Sequence, residues 1–110
     1  MSGQSGNRYR VLATATFQED IGRLEDFIVE RELASHTPDD TCLFRFRDAV
    51  EKAMAILSFA PHTCRRCEAH RGFRELVIPF GHGGCVALFA IRDFDVVLLA
   101  ARDQHERDYR

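Results

Sequence analysis

A loop in the second half of the chain carries four side chains that could hold zinc: His62, Cys64, Cys67 and His70. Imidazole nitrogen and thiolate sulfur are the ligands that tetrahedral zinc prefers. Structural zinc sites usually join two ligand pairs that are distant in sequence, whereas these four would close only one short loop. A Cys-x-x-Cys redox pair normally opens a helix, and this pair follows a predicted helix end. We therefore expect ordinary loop residues with reduced thiols and neither metal nor cofactor, with zinc and redox chemistry as the alternatives.

Four arginines in this loop and the strand after it could contact an anion. Arg65, Arg66 and Arg71 precede Arg74, which follows Phe73 in a predicted strand and should project from one face of a sheet. Guanidinium groups bind phosphate and carboxylate through paired hydrogen bonds. The pattern fits a contact with phosphate or an acidic partner, and it fits equally a solvated loop with one charge at a strand edge.

The tail of the chain, residues 102–110, contains a second group of polar side chains. Arg102, His105, Arg107 and Tyr109 follow directly on an apolar strand. Side chains of these types could act as a general acid or base and clamp a phosphate. The alternative is a charged terminus that keeps the end of the sheet soluble, and the pattern alone favours that alternative.

A glycine-rich segment, residues 81–84, lies between two predicted strands. Glycines can cradle phosphate, but this segment is followed by no helix and contains no lysine of the P-loop type. We therefore expect a hairpin turn, with His82 as a surface residue.

The charge of the chain is unevenly divided. The formal net charge is −2, with −3 in residues 1–60 and +1 in residues 61–110, which also hold four of the five histidines. A polyanion would therefore be attracted to the second half and repelled by the first. The total of −2 is a poor match for a protein that has to approach a dense polyanion such as the ribosome.

The length of 110 residues suits one domain. We expect a flexible leader over residues 1–8 and a single domain over residues 9–110. No apolar run approaches the roughly 18 residues that a membrane helix needs. The leader lacks the apolar stretch of a secretory signal, so we expect a cytoplasmic protein with no membrane partner.

The periodicity of apolar residues predicts six elements. A strand is predicted over 9–15. The helix after it should start at a capping box of Thr16 and Glu19 and end near Ala34. A second helix is predicted to start at Thr37 and Pro38 and to stop at Pro61. The apolar positions of the two helices are Phe17, Ile21, Leu24 and Ile28, then Leu43, Phe46, Val50, Ala53 or Met54, and Leu57.

Three further strands are predicted over 73–80, 85–91 and 94–101, and the last of them is apolar enough to be central. Because their connections are short, these strands should form an antiparallel meander. The resulting fold class is α+β, in the order β-α-α-β-β-β. The helix hairpin should pack on one face of a small antiparallel sheet.

Three segments of the second half resemble the RelE/ParE superfamily of bacterial toxins. They are FRELVIP from Phe73, GHGGCVALF from Gly81 and VVLLAARDQ from Val96. The order of elements, the helix hairpin and the tail from Ala101 to Tyr109 are similar as well. Members are toxin components of type II toxin–antitoxin modules, often described as plasmid stabilisation proteins. The resemblance implies a small α+β fold and a cognate antitoxin that wraps the toxin. The expected assembly is a homodimer or a toxin–antitoxin heterocomplex.

The superfamily divides into two target classes, which the resemblance leaves as alternatives. RelE-like members are ribosome-dependent endoribonucleases that cut messenger RNA. Carried over to this chain, that activity would use Arg74, Arg102, His105 and Tyr109. ParE-like members are non-enzymatic inhibitors of DNA gyrase. Val86 and Asp103 stand where many ribonucleases carry basic residues, and a carboxylate at Asp103 would repel a scissile phosphate, so the ParE-like branch is favoured. A degenerate toxin that binds only antitoxin is a third possibility.

The resemblance also implies contact surfaces for the antitoxin or the target. Three phenylalanines, Phe27, Phe44 and Phe59, lie off the apolar stripes of the predicted helices and are candidates for an apolar groove. The charged candidates are Arg65, Arg66, Arg71, Arg74, Arg102 and Arg107.

Overall fold

The computed structural model of the chain describes residues 8–81 and 83–109. The predicted leader therefore lies outside the described residues except for Arg8, and so do His82 and Arg110. The elements in chain order are β1 (Arg10–Ala13), α1 (Ala15–Leu33), α2 (Cys42–Phe59), a 3₁₀ turn (Pro61–Thr63), β2 (Arg65–Arg66), β3 (Arg74–Phe80), β4 (Gly83–Arg92) and β5 (Asp95–Asp103).

The strands form one mixed sheet in the order β1-β5-β4-β3-β2. The predicted meander is confirmed, because β3, β4 and β5 pair antiparallel. The prediction of an antiparallel sheet is wrong at one edge, where β1 runs parallel to β5. Parallel neighbours require a long connection, and both helices lie between β1 and β5 in the chain. Strand β2, which pairs antiparallel with β3, was not predicted because it has only two residues.

Helix α1 starts at a different threonine from the one predicted. The hydroxyl oxygen of Thr14 accepts a hydrogen bond from the backbone N–H of Phe17 at 3.2 Å, which makes Thr14 the N-cap. The predicted capping box at Thr16 is therefore wrong. The Thr14 hydroxyl also donates to the carbonyl of Leu98 at 2.8 Å. The residue that starts the helix thus also ties its first turn to β5.

Helix α2 starts later than predicted, at Cys42 rather than beside Pro38. The Asp39 carboxylate accepts from the backbone N–H and the hydroxyl of Thr41, at 2.9 and 2.6 Å. The carbonyl of Asp39 accepts from the N–H of Cys42 at 3.3 Å. These local bonds hold the chain in a turn, and such side-chain bonds compete with helical ones.

Strand β5 lies inside the sheet, between β1 and β4, and carries a bulge. The register passes from Leu88 opposite Ala100 to Phe89 opposite Leu98, so Leu99 is the extra residue. Near this bulge the buried carboxylate of Asp20 on α1 accepts a hydrogen bond from the N–H of Ala101 at 2.9 Å. A buried polar side chain of the helix therefore satisfies the backbone of the sheet.

The main core lies between the helix hairpin and one face of the sheet. Its most completely buried side chains include Leu57 of α2 and Phe89 of β4, and Phe17, Leu24 and Ile28 of α1 are buried there as predicted. Burial of a side chain of this size stabilises the fold by about 1.5–3 kcal/mol. A smaller apolar cluster on the other face contains Cys67, Leu88 and Ala100. The sheet therefore has packed residues on both faces.

Two glycines provide a matched test of the β3–β4 hairpin. Gly84 has φ +152°, and a Cβ added there would lie 2.2 Å from the carbonyl oxygen of Ile78. Gly22 lies in α1, and a Cβ there would meet nothing within 4 Å. We expect Gly84→Ala to lower the free energy of unfolding by more than about 1 kcal/mol, and Gly22→Ala to raise it by about 0.5–1 kcal/mol. Urea unfolding followed by circular dichroism measures both. If both substitutions changed the free energy of unfolding by the same amount, the close approach of Gly84 to the Ile78 carbonyl would not constrain the hairpin.

Candidate functional site

The alternation of side chains along β3 places its two charged residues on opposite faces of the sheet. Leu76 and Ile78 pack in the main core beneath the helices, and Arg74 shares their face. Glu75 projects from the other face, although it is only 8% exposed. Arg74 is among the residues predicted from the sequence to form contacts, whereas Glu75 is not. Glu75 is the single acid of β3 and stands at the opposite parity to Leu76 and Ile78, and this pattern is the signal that could have identified it.

Donors from three parts of the chain converge on the Glu75 carboxylate. The hydroxyl of Tyr109 donates to Oε2 at 2.7 Å, and Nε of Arg65 donates to Oε1 at 3.0 Å. A guanidinium nitrogen of Arg102 lies 3.6 Å from Oε2. The thiol of Cys67 also lies beside this carboxylate and helps to hold the pKa of Glu75 below its ordinary value. We call these five residues the Glu75 cluster.

The tail of the chain is fixed against the cluster by further contacts. Nη1 of Arg102 donates to the carbonyl of Glu106 at 2.7 Å, and the guanidinium lies 5.3 Å from the centre of the Tyr109 ring. The rings of Tyr109 and His70 pack in a T-shaped arrangement with their centres 5.8 Å apart. Nε2 of His70 lies 3.0 Å from the Asp108 carboxylate. The tail is therefore packed onto the sheet and onto the loop before β3.

The electrostatics of the cluster favour an ionised glutamate and a protonated tyrosine. Burial alone would raise the pKa of Glu75, but the bonds from Tyr109 and Arg65 outweigh it and hold that pKa below its ordinary value. Burial, followed by the hydrogen bond to Glu75 and its negative charge, raises the pKa of the Tyr109 phenol well above its ordinary value. The phenol is therefore held as a donor to a carboxylate.

This arrangement is poorly suited to proton transfer on a bound phosphate. The hydroxyl proton of Tyr109 is already engaged by Glu75, and the positive charges of Arg65 and Arg102 are balanced in part by the same carboxylate. An anion entering here would be repelled by the carboxylate at short range. The cluster can instead orient Tyr109 and Arg102 as parts of a fixed surface.

The other residues of the predicted ribonuclease set lie elsewhere. Arg74 donates to the carbonyl of Cys64 at 2.7 Å, on the helix side of the sheet. His105 lies beside Gly83 and lines a pocket of about 110 Å³ between the helices and the sheet. Of the four predicted residues, the structure brings together only Arg102 and Tyr109.

The negative charge that disfavours phosphate near Arg102 comes from a different residue than the sequence suggested. Asp103 pairs with Cys85, whose side chain faces the main core, so Asp103 is on the opposite face from Arg102. Asp103 lines the same small pocket as His105. The carboxylate beside Arg102 is that of Glu75.

The four candidate zinc ligands are dispersed. The His62 ring packs against Tyr9 with centroids 6.0 Å apart, and Cys64 contacts the main core. Cys67 lies in the cluster on the other face of the sheet. Burial raises the pKa of both thiols, which disfavours the thiolate that zinc binding and redox exchange require. Among residues 8–81 and 83–109, no group of three or more potential ligands is positioned to hold a metal.

A basic rim borders the Glu75 cluster. Arg66, Arg71 and Arg107 are exposed, and none of them makes an ion pair within the described part of the chain. Arg66 and Arg107 line a pocket of about 400 Å³ over the cluster. Arg66 also lines an adjoining pocket of about 540 Å³, together with Arg71. The rim is therefore accessible to an acidic partner.

The three predicted contact phenylalanines are exposed, with 56% of Phe27, 69% of Phe44 and 59% of Phe59 accessible. Phe44 and Phe59 lie at the two ends of α2, about 22 Å apart along the helix. They cannot belong to one compact patch. The guanidinium of Arg31 lies over Phe27, and that of Arg8 lies over Phe59.

Neither helix within the described residues is both long and apolar enough to cross a membrane.

Comparison with known proteins shows the fold. No family model and no curated protein sequence matches the chain. Among solved structures, the chain is similar to one described as "Chromosomal ParDE TA system from P. aeruginosa", with a TM-score of 0.66 and 16% sequence identity. The match covers 91% of this chain and 99% of that chain. The two chains therefore share a fold, which confirms the α+β fold that the resemblance implied.

The raised pKa of Tyr109 can be tested directly, because the chain has two tyrosines and no tryptophan. In a Tyr9→Phe background, we expect tyrosinate absorbance to appear only well above pH ~10, the ordinary range of a phenol. The protonated phenol then contributes stability below about pH 10, and this contribution is lost as the pH rises through the raised pKa.

Adding Glu75→Gln removes the negative charge and should bring ionisation of Tyr109 to lower pH. Glu51→Gln, which removes an exposed charge from α2, is the control and should leave the titration unchanged. Circular dichroism recorded in parallel separates ionisation from unfolding. An identical titration with and without Glu75→Gln would contradict the assigned contact.

Proposed function

We propose that this protein is the toxin component of a type II toxin–antitoxin module. It inhibits growth by binding an essential protein target, DNA gyrase, and a cognate antitoxin neutralises it. Two findings support the proposal: the fold it shares with a chain of a ParDE toxin–antitoxin system, and the sequence resemblance to RelE/ParE toxins. The protein works in the cytoplasm, where both the target and the antitoxin are found.

The hydrogen bond from Tyr109 to Glu75 is the observation that favours a binding function over catalysis. General acid–base catalysis needs a group whose proton is free to move to or from the substrate. Here the proton of Tyr109 is held by an ionised carboxylate. Burial and that carboxylate raise the pKa of the phenol further above physiological pH. A rigid surface of Tyr109 and Arg102 is suited instead to contact with a protein.

The alternative function is a ribosome-dependent endoribonuclease. It is favoured by one observation, the proximity of Arg102 to Tyr109. It would have to operate without Arg74 and His105, which lie away from these two residues, and beside a carboxylate. We therefore keep it as the second outcome of the functional test, and a degenerate toxin that binds only antitoxin as the third.

The basic rim and the exposed phenylalanines support binding of an antitoxin. Arg66, Arg71 and Arg107 offer guanidinium groups for an acidic segment, while Phe27 and Phe44 offer apolar contacts. An antitoxin chain with both acidic and apolar residues could cover the two kinds of surface together, giving a toxin–antitoxin heterocomplex.

The target is tested by inducing the protein in bacteria without its neighbouring genes. We expect growth arrest with altered DNA supercoiling and intact messenger RNA, because the cluster is arranged for binding. A plasmid topology assay with purified gyrase and messenger sequencing after induction provide the measurements. Cleaved messengers with normal supercoiling would favour the alternative, and unaffected growth would indicate a degenerate toxin.

The role of Tyr109 is tested by Tyr109→Phe. We expect inhibition of the target to be retained, because no proton is moved, while the free energy of unfolding falls by about 1–3 kcal/mol through loss of a hydrogen bond to a charged group. Arg107→Ala, which removes an exposed guanidinium without a partner among the described residues, should weaken inhibition in a graded way without a comparable loss of stability. Complete loss of toxicity in a folded Tyr109→Phe protein would contradict the binding mechanism.

Binding of an antitoxin is tested by co-expression with the adjacent small open reading frame. We expect a higher soluble yield and a stable complex on gel filtration, because a partner covers the exposed Phe27 and Phe44. The double variant Arg66→Ala and Arg71→Ala should weaken the complex more at low salt than at high salt, since rim charges are screened by ions. If the purified protein does not bind the product of the adjacent open reading frame, that result would count against the proposed toxin–antitoxin module.

A further inference from the structure

The Glu75 cluster has the composition of an anion-binding site that already contains its anion. Two guanidinium groups and a phenol hydroxyl point at one place, and that place is occupied by a carboxylate of the same chain. Arginine pairs and hydroxyl donors are also the groups that bind phosphate. The side chain of Glu75 is 9% exposed and that of Arg102 is 12% exposed, so the site is built into the fold.

The cluster offers more donors than the carboxylate satisfies. Nε of Arg102 is buried and has no hydrogen-bond partner among the described residues. The guanidinium of Arg102 approaches Glu75 only at 3.6 Å, beyond hydrogen-bond distance. A tetrahedral oxyanion has more acceptor atoms than a carboxylate, so it could engage donors that Glu75 leaves free.

We infer that Glu75 is a built-in anion, whose carboxylate fills an oxyanion site formed by Arg65, Arg102 and Tyr109 and excludes phosphate from this site. Glu75 is thus a residue that determines specificity. It keeps the donors ordered for contact with a protein and closes them to a nucleic-acid backbone. In this respect the inference rests on the proposed function, which assigns the face to a protein target.

Phosphate and the Glu75 carboxylate would compete for the same donors in a largely buried site. A free phosphate would have to displace a carboxylate that is attached to the sheet and needs no association entropy. Removing the carboxylate leaves Arg102 with a buried charge that lacks its partner, which is costly. A bound phosphate ion would then pair with the positive charge of Arg102.

Inorganic phosphate is the probe for this inference, and isothermal titration with the purified full chain is the measurement. We expect Glu75→Ala to bind phosphate at least about tenfold more tightly than the unmodified protein. Asp103→Ala is the matched control, because it removes one negative charge from the opposite face of the sheet and should bind no better than the unmodified protein. Adding Arg102→Ala to Glu75→Ala should abolish the gain.

Glu75→Gln keeps the volume of the side chain but removes its charge, and it serves if Glu75→Ala does not fold. We expect it to bind phosphate more tightly than the unmodified protein and more weakly than a folded Glu75→Ala. Equal phosphate affinity in the unmodified protein, the Glu75 variants and Asp103→Ala would overturn the inference. Because the experiment reads no toxicity, it can fail while the proposed function stands, and it can succeed in a protein whose target is not gyrase.

Discussion

The need to pair a buried carboxylate organises the second half of this protein. Glu75 is almost fully enclosed, and a charge in such a position is tolerated only when it is paired and hydrogen-bonded. Its partners come from the edge strand β2 (Arg65), the interior strand β5 (Arg102) and the tail (Tyr109). One side chain thus fixes the edge of the sheet and the course of the last residues.

The opposite face of the sheet is secured in a comparable way. Thr14 and Asp20 are polar residues at the start and on the core side of the first helix, and both bond to the backbone of strand β5. Both bonds lie next to the bulge at Leu99. With helix α1 fixed in this way, the helix hairpin covers one face, and the other face remains available for the Glu75 cluster and the basic rim.

The sequence predicted most of the elements and named four of the five residues that the structure brings together in the Glu75 cluster. Helical periodicity identified the buried face of α1, and short connections identified the meander of β3, β4 and β5. It could not give the parallel neighbour of β1, because periodicity reports which residues form a strand and not which strand lies beside it. It also missed Glu75, whose partner Tyr109 lies 34 positions away in the chain. The position of Glu75 off the core face of β3 can be read from the strand pattern, but its contact with Tyr109 follows from the tertiary fold and leaves no local pattern.

The coupling between Glu75 and Tyr109 is the quantity on which this account depends most. A double-mutant cycle of Glu75→Gln and Tyr109→Phe, with the free energy of unfolding measured by urea denaturation, isolates it from the other contacts of both residues. The account predicts that the two single losses fail to add, with a coupling energy between about 0.5 and 3 kcal/mol. Losses that add to within about 0.5 kcal/mol would contradict it, because the tail would then be held by other contacts and the phenol would be free.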